Sequence, residues 1–477
     1  MAALKKRLGV SIFLTVLSLA SIMLLLVGRS GVHAHLKKIG LGGSMSMDVL
    51  GWRKTGGDDN GARVIVFGDS WADDSKSEGE KGKGKSWTKF LCDEISCTSY
   101  QNFAVTQPRD AYPAQPPNGV MVSNNIHLAS LLNSPSNLEP NSTPITLLPD
   151  LETQIKSFIA LPPPATLAKE TLFIISLGFW DIYNFASLDY ALAQNTIDQS
   201  INELFTQLDI LFNHYNSTQL SISTAPTNTS AHSFQIIIPK VLDPSVAPGW
   251  LTQRPSPIKP SSIAEQQKNA AYLTERWNQG VENKLGLWIR SPEEIKAAAA
   301  TKTTAKEAAI AAAIAKSKPK LKLSTSTSPL KSTPTPTSNK TVETGSLKDV
   351  FYYDLSTRLL DTMIEHQMES EGLKDASGLG AGDSPYENVE RPCVYQPDDD
   401  EDTYGLRELV NGMVVCAEPD MWLWWDAWGV GARAQKVMGK EVAVLVGTGA
   451  SERARMAKVA SNGKPHGFWS GKMGGAA

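Results

Sequence analysis

Residues 63–71 read RVIVFGDSW, a short apolar and β-branched run that leads directly into Gly-Asp-Ser. Such a run, bounded by loop residues, is typical of a buried strand. In an open parallel sheet, sites form at the carboxyl ends of the strands. Ser70, on a tight turn opened by Gly68, is therefore a candidate nucleophile whose own backbone N–H can face an oxyanion.

The Gly-Asp-Ser tripeptide carries little information without the strand that precedes it. Residues 382–384 repeat it within a Gly/Ser/Pro loop that follows no strand, and we interpret this second copy as chance. The alternative for Ser70 itself is a serine that only caps a helix or a turn.

Four further segments have the composition of strands, and helical patterns separate them. The predicted strands are 100–105, 171–177, 234–239 and 350–355. The predicted helices are 86–94, 197–213, 263–285 and a segment that extends from the last strand to 369. The stretch 108–149, rich in Pro and Asn, is interpreted as a surface excursion. Strands that alternate with helices predict a parallel sheet covered on both faces.

The chain has 477 residues, with 46 basic and 49 acidic side chains and a formal net charge of −3. This balance argues against a nucleic-acid binder whose affinity comes from a basic surface. Residues 290–346 are of low complexity, and we interpret them as an insertion in a surface loop, because long insertions cost little loop entropy. We therefore predict one domain over 63–445, interrupted by this insertion and followed by a tail at 446–477.

The N-terminus predicts entry into the secretory pathway. A basic segment, Lys5 to Arg7, precedes an apolar run at 8–28, which is how a secretory signal is built. The run is also long enough to span a bilayer, so residues 1–34 are either a cleaved signal peptide or a membrane anchor with a lumenal body. Either alternative makes the body a secreted or membrane-anchored protein.

Sequons and cysteines agree with an oxidising compartment. Glycosylation is predicted at the four N-x-[S/T] sequons, which begin at Asn141, Asn216, Asn228 and Asn339. The four cysteines form two local pairs, and we expect the disulfides Cys92–Cys97 and Cys393–Cys416. Four cysteines allow three connectivities, and buried free thiols are the alternative.

Blocks of residues in this chain resemble the SGNH (GDSL-type) hydrolase superfamily, particularly its secreted, fungal esterase-like members. The blocks, spread over 63–445, are FGDSW at 67–71, NFAVTQ at 102–107, SLGFWD at 176–181 and WDAWG at 425–429. The resemblance implies a flavodoxin-like three-layer α/β/α sandwich with a five-stranded parallel sheet. It also implies a serine esterase with Ser70 as nucleophile and Asp426 in the catalytic set, and an oxyanion hole formed by the backbone N–H groups of Ser70, Gln107 and Gly178.

The chain departs from the family pattern at three positions. Gln107 stands where a glycine is usual, although its backbone N–H can still serve. Trp180 replaces an asparagine whose amide would be an oxyanion donor, and loss of one such donor typically costs about 10²–10³ in rate. Asp426 is kept, but Gly429 occupies the place of the general-base histidine. A serine hydroxyl is a poor nucleophile without a base in hydrogen-bond reach.

A histidine elsewhere in the chain could replace the missing general base. Of the seven histidines, His127 and His466 are the two whose chain positions allow them to fold back over the site. Asp69 and Asp181 are interpreted as scaffold, as the resemblance implies. No paired-histidine motif suggests a metal, and we predict neither a metal nor a cofactor.

Two functions follow from these residues. The first is a secreted or lumenal hydrolase that cleaves acyl or acetyl esters of carbohydrate or lipid, with a small-molecule or glycan ester as its partner. The second is a catalytically impaired relative that acts as a binding or cell-surface interaction protein. The intact strand, Ser70 and Asp426 favour the first, whereas the missing histidine and asparagine favour the second.

Overall fold

The computed structural model describes most of the predicted domain. The described residues are 61–74, 83–107, 117–133, 147–164, 168, 170–222, 233–257, 261–290, 347–372, 384–396, 407–408, 413–449, 451 and 454. Several predictions lie outside them: the signal or anchor at 1–34, the sequons at Asn141, Asn228 and Asn339, the insertion after residue 290, His466, and nearly all of the tail beyond 449. All of the described residues belong to one compact unit, Gly56–Ala477.

A five-stranded parallel sheet forms the centre of the described chain. Its strands are β1 Ala62–Gly68, β2 Ser99–Asn102, β3 Glu170–Ser176, β4 Ser233–Pro239 and β5 Leu347–Tyr353. Their order in the sheet is β2-β1-β3-β4-β5, and every neighbouring pair is parallel. This is the flavodoxin-like order, in which the chain reverses direction across the sheet between β1 and β3. The predicted fold class is confirmed.

The burial of the strands follows their place in the sheet. Val64 to Phe67 of β1 are fully buried, because this strand has neighbours on both sides and helices flank the sheet. The edge strand β2, with the sequence SYQN, is only half-buried throughout. It ends at Asn102, three residues before its predicted end, where the Asn102 side chain accepts a hydrogen bond from the N–H of Ala104 at 2.9 Å. Beyond the strand, the N–H groups of Phe103 and Val105 still donate to carbonyls of β1, those of Val66 and Gly68.

Nine α-helices in the described residues complete the layers. They are α1 Trp87–Glu94, α2 Asn124–Leu132, α3 Leu151–Ile159, α4 Phe179–Phe185, α5 Tyr190–Ile222, α6 Gly249–Thr252, α7 Ile263–Trp288, α8 Leu355–Ser370 and α9 Ala432–Gly447. Helix α1 packs against α9, and α5 packs against α7. A capping box between Ser262 and Glu265 explains where α7 begins.

The prediction of a surface excursion over 108–149 is wrong for residues 117–133. Val120 and Val122 are fully buried, and helix α2 follows them. The Val122 N–H donates to the buried carboxylate of Asp181, and Gly119 forms an antiparallel bridge with Thr106. A run of only three apolar residues among polar ones has no periodicity that would reveal this burial.

The segment before the last helix contributes two small sheets. It forms small sheets from β6 Asn388–Pro392, β7 Val394–Tyr395, β8 Arg407–Glu408, β9 Val414–Val415 and β10 Trp422–Trp424. The Cys393–Cys416 disulfide lies in the buried cluster between these strands, and Cys92–Cys97 joins the end of α1 to the turn before β2. Both expected disulfides are confirmed.

Within the described ranges, no helix combines the length and apolarity that crossing a bilayer requires. The sequon residue Asn216 lies inside helix α5, where it is half-buried.

Candidate functional site

The turn that carries Ser70 is built by Asp69. The Asp69 N–H donates to the carbonyl of Ser176 at 3.2 Å, which ties the turn to the end of β3. The Asp69 carbonyl accepts the N–H groups of Ala72 and Asp73, and its Oδ1 accepts the N–H of Trp71 at 3.0 Å. Asp69 therefore holds the backbone on both sides of Ser70, which agrees with the scaffold role predicted for it.

A glutamine that the sequence analysis did not single out clamps the same turn. The Gln154 side chain accepts the Gly68 N–H at 2.9 Å and donates to the Gly68 carbonyl at 2.9 Å. A Cβ at Gly68 would lie 2.8 Å from the Ser176 carbonyl, so only glycine fits there. Gln154 sits within α3 and is buried, and no motif in its neighbourhood distinguishes it from an ordinary helical glutamine.

The Ser70 hydroxyl accepts one hydrogen bond, and its donor is an indole. Trp180 Nε1 donates to Ser70 Oγ at 3.2 Å. Within the described residues the backbone N–H of Ser70 has no acceptor, which leaves this donor available as the oxyanion-hole assignment requires. Ser70 is half-buried, whereas Trp180 is 2% exposed.

Residues from three other parts of the chain hold the Trp180 ring. A Cβ at Gly119 would approach it to 2.1 Å, so the ring packs flat against the backbone there. The ring centroid of Trp428 lies 5.4 Å away, and that of Tyr183 lies 5.2 Å away. Since Trp428 belongs to the 425–429 block, the structure brings the first, third and last blocks of the resemblance together around Ser70.

The other two oxyanion positions are placed differently. Gly178 lies two residues after β3 with φ +111°, and a Cβ there would lie 2.4 Å from the Trp277 ring. Its N–H has no acceptor among the described residues. Gln107 uses its side-chain oxygen to accept the Asn118 N–H at 2.7 Å, which fastens the 102–107 block to the buried segment beyond it.

Two buried carboxyl groups lie beneath the site. Burial raises the pKa of Asp69 to about 8, and the nearby charges of Asp181 and Asp73 add to this. Burial also raises the pKa of Asp181 to about 7, against the lowering effect of the Val122 N–H. Near neutral pH Asp69 is therefore mainly protonated, whereas Asp181 is divided between its two forms, because the protein interior disfavours the charged form of both groups.

Asp426 and Gly429 form one tight turn. Asp426 Oδ1 accepts the Trp428 N–H at 3.0 Å and the Gly429 N–H at 2.7 Å. A Cβ at Gly429 would lie 3.2 Å from that oxygen, and the three atoms nearest to it outside the adjoining residues all belong to Asp426. The Gly429 backbone is not left-handed, so other residues are allowed there. A side chain at position 429 would thus stand beside the Asp426 carboxylate, which is the arrangement of an aspartate that orients a histidine.

None of the three histidines in the described part of the chain is hydrogen-bonded to Ser70. His127 is buried on α2 beside Phe185, its Nδ1 has no partner, and burial lowers its pKa to about 4. His214 packs against the ring of Phe158, and His366 Nε2 lies 3.1 Å from a main-chain carbonyl of Glu387. The described site therefore contains a serine, candidate donors and an aspartate without a bound general base.

Space at the strand ends is narrow. A crevice of about 20 Å³ lies among Asp69, Trp71, Leu177 and Phe179, which flank Ser70 and Gly178 in the chain. That volume holds about one water molecule. Trp424, Trp425 and Trp428 are buried in the core. In the described ranges, no group of three or more His, Cys, Asp or Glu side chains is placed to hold a metal ion.

No protein-family model matches the chain, and no curated protein matches it.

Proposed function

We propose that this chain is a hydrolase of the SGNH type that acts on acyl or acetyl esters of carbohydrate or lipid in the secretory pathway. The observation that carries the proposal is the hydrogen bond of 3.2 Å from Trp180 Nε1 to Ser70 Oγ at the carboxyl ends of β1 and β3. A serine hydroxyl at a topological switch point, with N–H donors beside it, has the geometry of an acyl-transfer site.

The proposed reaction proceeds through an acyl-enzyme. Ser70 Oγ attacks the ester carbonyl carbon, its proton passes to a base, and the carbonyl oxygen becomes an oxyanion that receives N–H donors. Collapse breaks the bond to the alcohol oxygen, which takes a proton and leaves. Water then attacks the acyl-Ser70 ester and releases the carboxylic acid, restoring the serine.

The base is the missing part of this mechanism in the described residues. Water itself must then accept the Ser70 proton, so attack is slow. Oxyanion donors and binding alone leave about 10³–10⁴ of rate enhancement over the uncatalysed reaction in serine hydrolases that lack a triad member. We therefore expect weak turnover that is best detected with activated esters.

The lack of a general base beside Ser70 in the described residues also supports a second candidate function. With Gly429 in the turn of Asp426 and no described histidine on Ser70, the chain is also consistent with a relative that binds an ester-bearing ligand without cleaving it. Its two disulfides favour an oxidising compartment under either proposal.

A fluorophosphonate probe, which forms a covalent bond with activated serines, tests the first proposal. We expect labelling of the purified protein to disappear in Ser70→Ala. Ser384→Ala is the matched control, because Ser384 ends the second Gly-Asp-Ser and should not contribute to labelling. Equal labelling of Ser70→Ala and the parent protein, or none in either, would contradict an activated Ser70 and favour the binding function.

Restoring the histidine is the complementary experiment. Gly429→His places an imidazole beside Asp426. A general base typically contributes about 10²–10⁴ in rate, so hydrolysis of p-nitrophenyl acetate should rise by that factor. Gly429→Ala, which adds a Cβ but no base, should leave the rate at the parent level. A histidine variant that folds and gains nothing would show that a second defect disables the site.

A further inference from the structure

We infer that the indole N–H of Trp180 is the side-chain donor of the oxyanion hole at Ser70. This inference rests on the proposed function and adds a catalytic residue to it. The resemblance predicts that the site lacks one donor, because Trp180 stands where an asparagine amide is usual. The structure places an N–H group there nonetheless, 3.2 Å from Ser70 Oγ.

Indole chemistry determines the direction of this hydrogen bond. The Trp Nε1 atom is a donor only, so Ser70 Oγ must be the acceptor. In the described residues Nε1 has no other partner. The donor therefore points at the atom that forms the new bond, whose proton remains free to leave in another direction.

In the tetrahedral intermediate the oxyanion forms close to Oγ, the atom that the indole N–H contacts. When Oγ bonds to the carbonyl carbon, the former carbonyl oxygen is attached to the same carbon as Oγ, so the two oxygens lie closer together than a hydrogen-bond length. A donor 3.2 Å from Oγ reaches the new oxyanion when the substrate binds with its carbonyl oxygen on the side of the indole, and the proposal requires this orientation. A hydrogen bond to a charged oxygen is shorter and about twice as strong as one to a neutral oxygen, so the contact strengthens as charge develops.

The ring is held before substrate arrives. Gly119 packs directly against the ring, and the ring centroids of Trp428, Tyr183 and Phe179 lie 5.2–5.6 Å from that of Trp180. Trp180 is 2% exposed. A donor that needs no rearrangement during the reaction gives the largest electrostatic stabilisation. The same packing explains why position 119 is a glycine.

The alternative is that the indole only occupies the hydroxyl and obstructs attack. The two roles predict opposite effects of Trp180→Phe, which removes the N–H and keeps an aromatic ring. An oxyanion donor predicts a fall of about 10²–10³ in kcat with little change in KM, because the charge it stabilises exists only in the transition state. An obstructing indole predicts a rise in kcat.

The test compares Trp180→Phe with Trp424→Phe as a matched control. Trp424 is equally buried and also loses an indole hydrogen bond, here to the Val389 carbonyl and not to Ser70, while its ring packs against that of Trp71 at 6.3 Å. Four quantities are measured on each protein: the rate constant of fluorophosphonate labelling, kcat and KM for p-nitrophenyl acetate, and the thermal unfolding midpoint. We expect only Trp180→Phe to lose labelling rate and kcat, with similar unfolding midpoints for both variants.

A spectroscopic measurement separates a catalytic donor from a packing residue. In ¹⁵N-labelled protein the indole N–H signal absent from Trp180→Phe belongs to Trp180, and it should move downfield when the phosphonate adduct of Ser70 forms. Equal kinetics of the two variants, or an unmoved signal, would overturn the inference while leaving the esterase proposal intact. A parent protein that neither labels nor exceeds Ser70→Ala in hydrolysis would overturn the proposed function, and this inference with it.

Discussion

The buried carboxyl of Asp69 predicts an unusual dependence of stability on pH. Asp69 is 1% exposed, and burial raises its pKa to about 8. In the unfolded chain an aspartate has a pKa of about 3.9. Between these values the folded protein holds a proton that the unfolded chain has lost. The free energy of unfolding therefore decreases as pH rises from about 4 to about 8.

Asp69→Asn isolates this contribution. Asparagine does not titrate, and its Oδ1 can still accept the Trp71 N–H, so the turn is retained. From pH 5 to pH 7 the stability of the variant relative to the parent should increase by about 2.5 kcal/mol, since each proton contributes about 1.4 kcal/mol per pH unit. Titrating groups that do not interact with Asp69 affect both proteins alike and cancel in this difference, whereas Asp181 and Asp73 interact with it.

Urea unfolding followed by tryptophan fluorescence at several pH values measures the difference. Asp181→Asn is the companion variant, because burial raises the pKa of Asp181 to about 7. Its relative stability should level off above pH 7, while that of Asp69→Asn continues to rise to about pH 8. A difference between Asp69→Asn and the parent that stays constant from pH 5 to pH 8 would refute the argument, because it would mean that folded Asp69 is already ionised.

Two further predictions concern the backbone and the crosslinks. Gly178→Ala should destabilise the fold by about 2–4 kcal/mol, since φ is +111° and the new Cβ would lie 2.4 Å from Trp277. Gly286→Ala, in open space within α7, should instead stabilise by about 0.5–1 kcal/mol in the same thermal unfolding assay. Replacing Cys393 and Cys416 by serine opens a loop whose ends are 23 residues apart, and it should lower the denaturation free energy by about 3 kcal/mol. Equal stability of Gly178→Ala and Gly286→Ala would contradict the account of the backbone. Equal stability of the cysteine variant and the parent protein would contradict the account of the crosslink.

Much of the fold could be predicted from local patterns. The five strands lie close to their expected positions because continuous apolar runs such as Phe234–Pro239 have few alternatives to a buried strand. Both disulfides join cysteines that are neighbours in the sequence, as the two local pairs predicted. The buried segment Val120 to Val122 was missed, because its burial depends on Asp181 and Trp180, which are distant in sequence.

Some features of the candidate site could likewise be predicted from the sequence, and others could not. Ser70 could be located from the sequence, because a strand that ends in Gly-Asp-Ser places a serine at the sheet edge regardless of what surrounds it. The clamp by Gln154 and the donor role inferred for Trp180 could not, since each depends on where one polar atom points after packing. The replacement of asparagine by Trp180 predicted one donor fewer at the site. In the folded chain, however, the indole N–H lies within hydrogen-bond distance of Ser70 Oγ.

The sequence by itself determined the five strands of the central sheet, four of the helices and the carboxyl-end position of Ser70. Hydrophobic periodicity and turn chemistry are local, and they act before any long-range contact forms. Tertiary structure alone decided which donors surround Ser70, why the pKa values of Asp69 and Asp181 are raised, and that position 429 faces Asp426. Those properties depend on distances of a few ångströms and on desolvation, and both arise only when remote segments pack together.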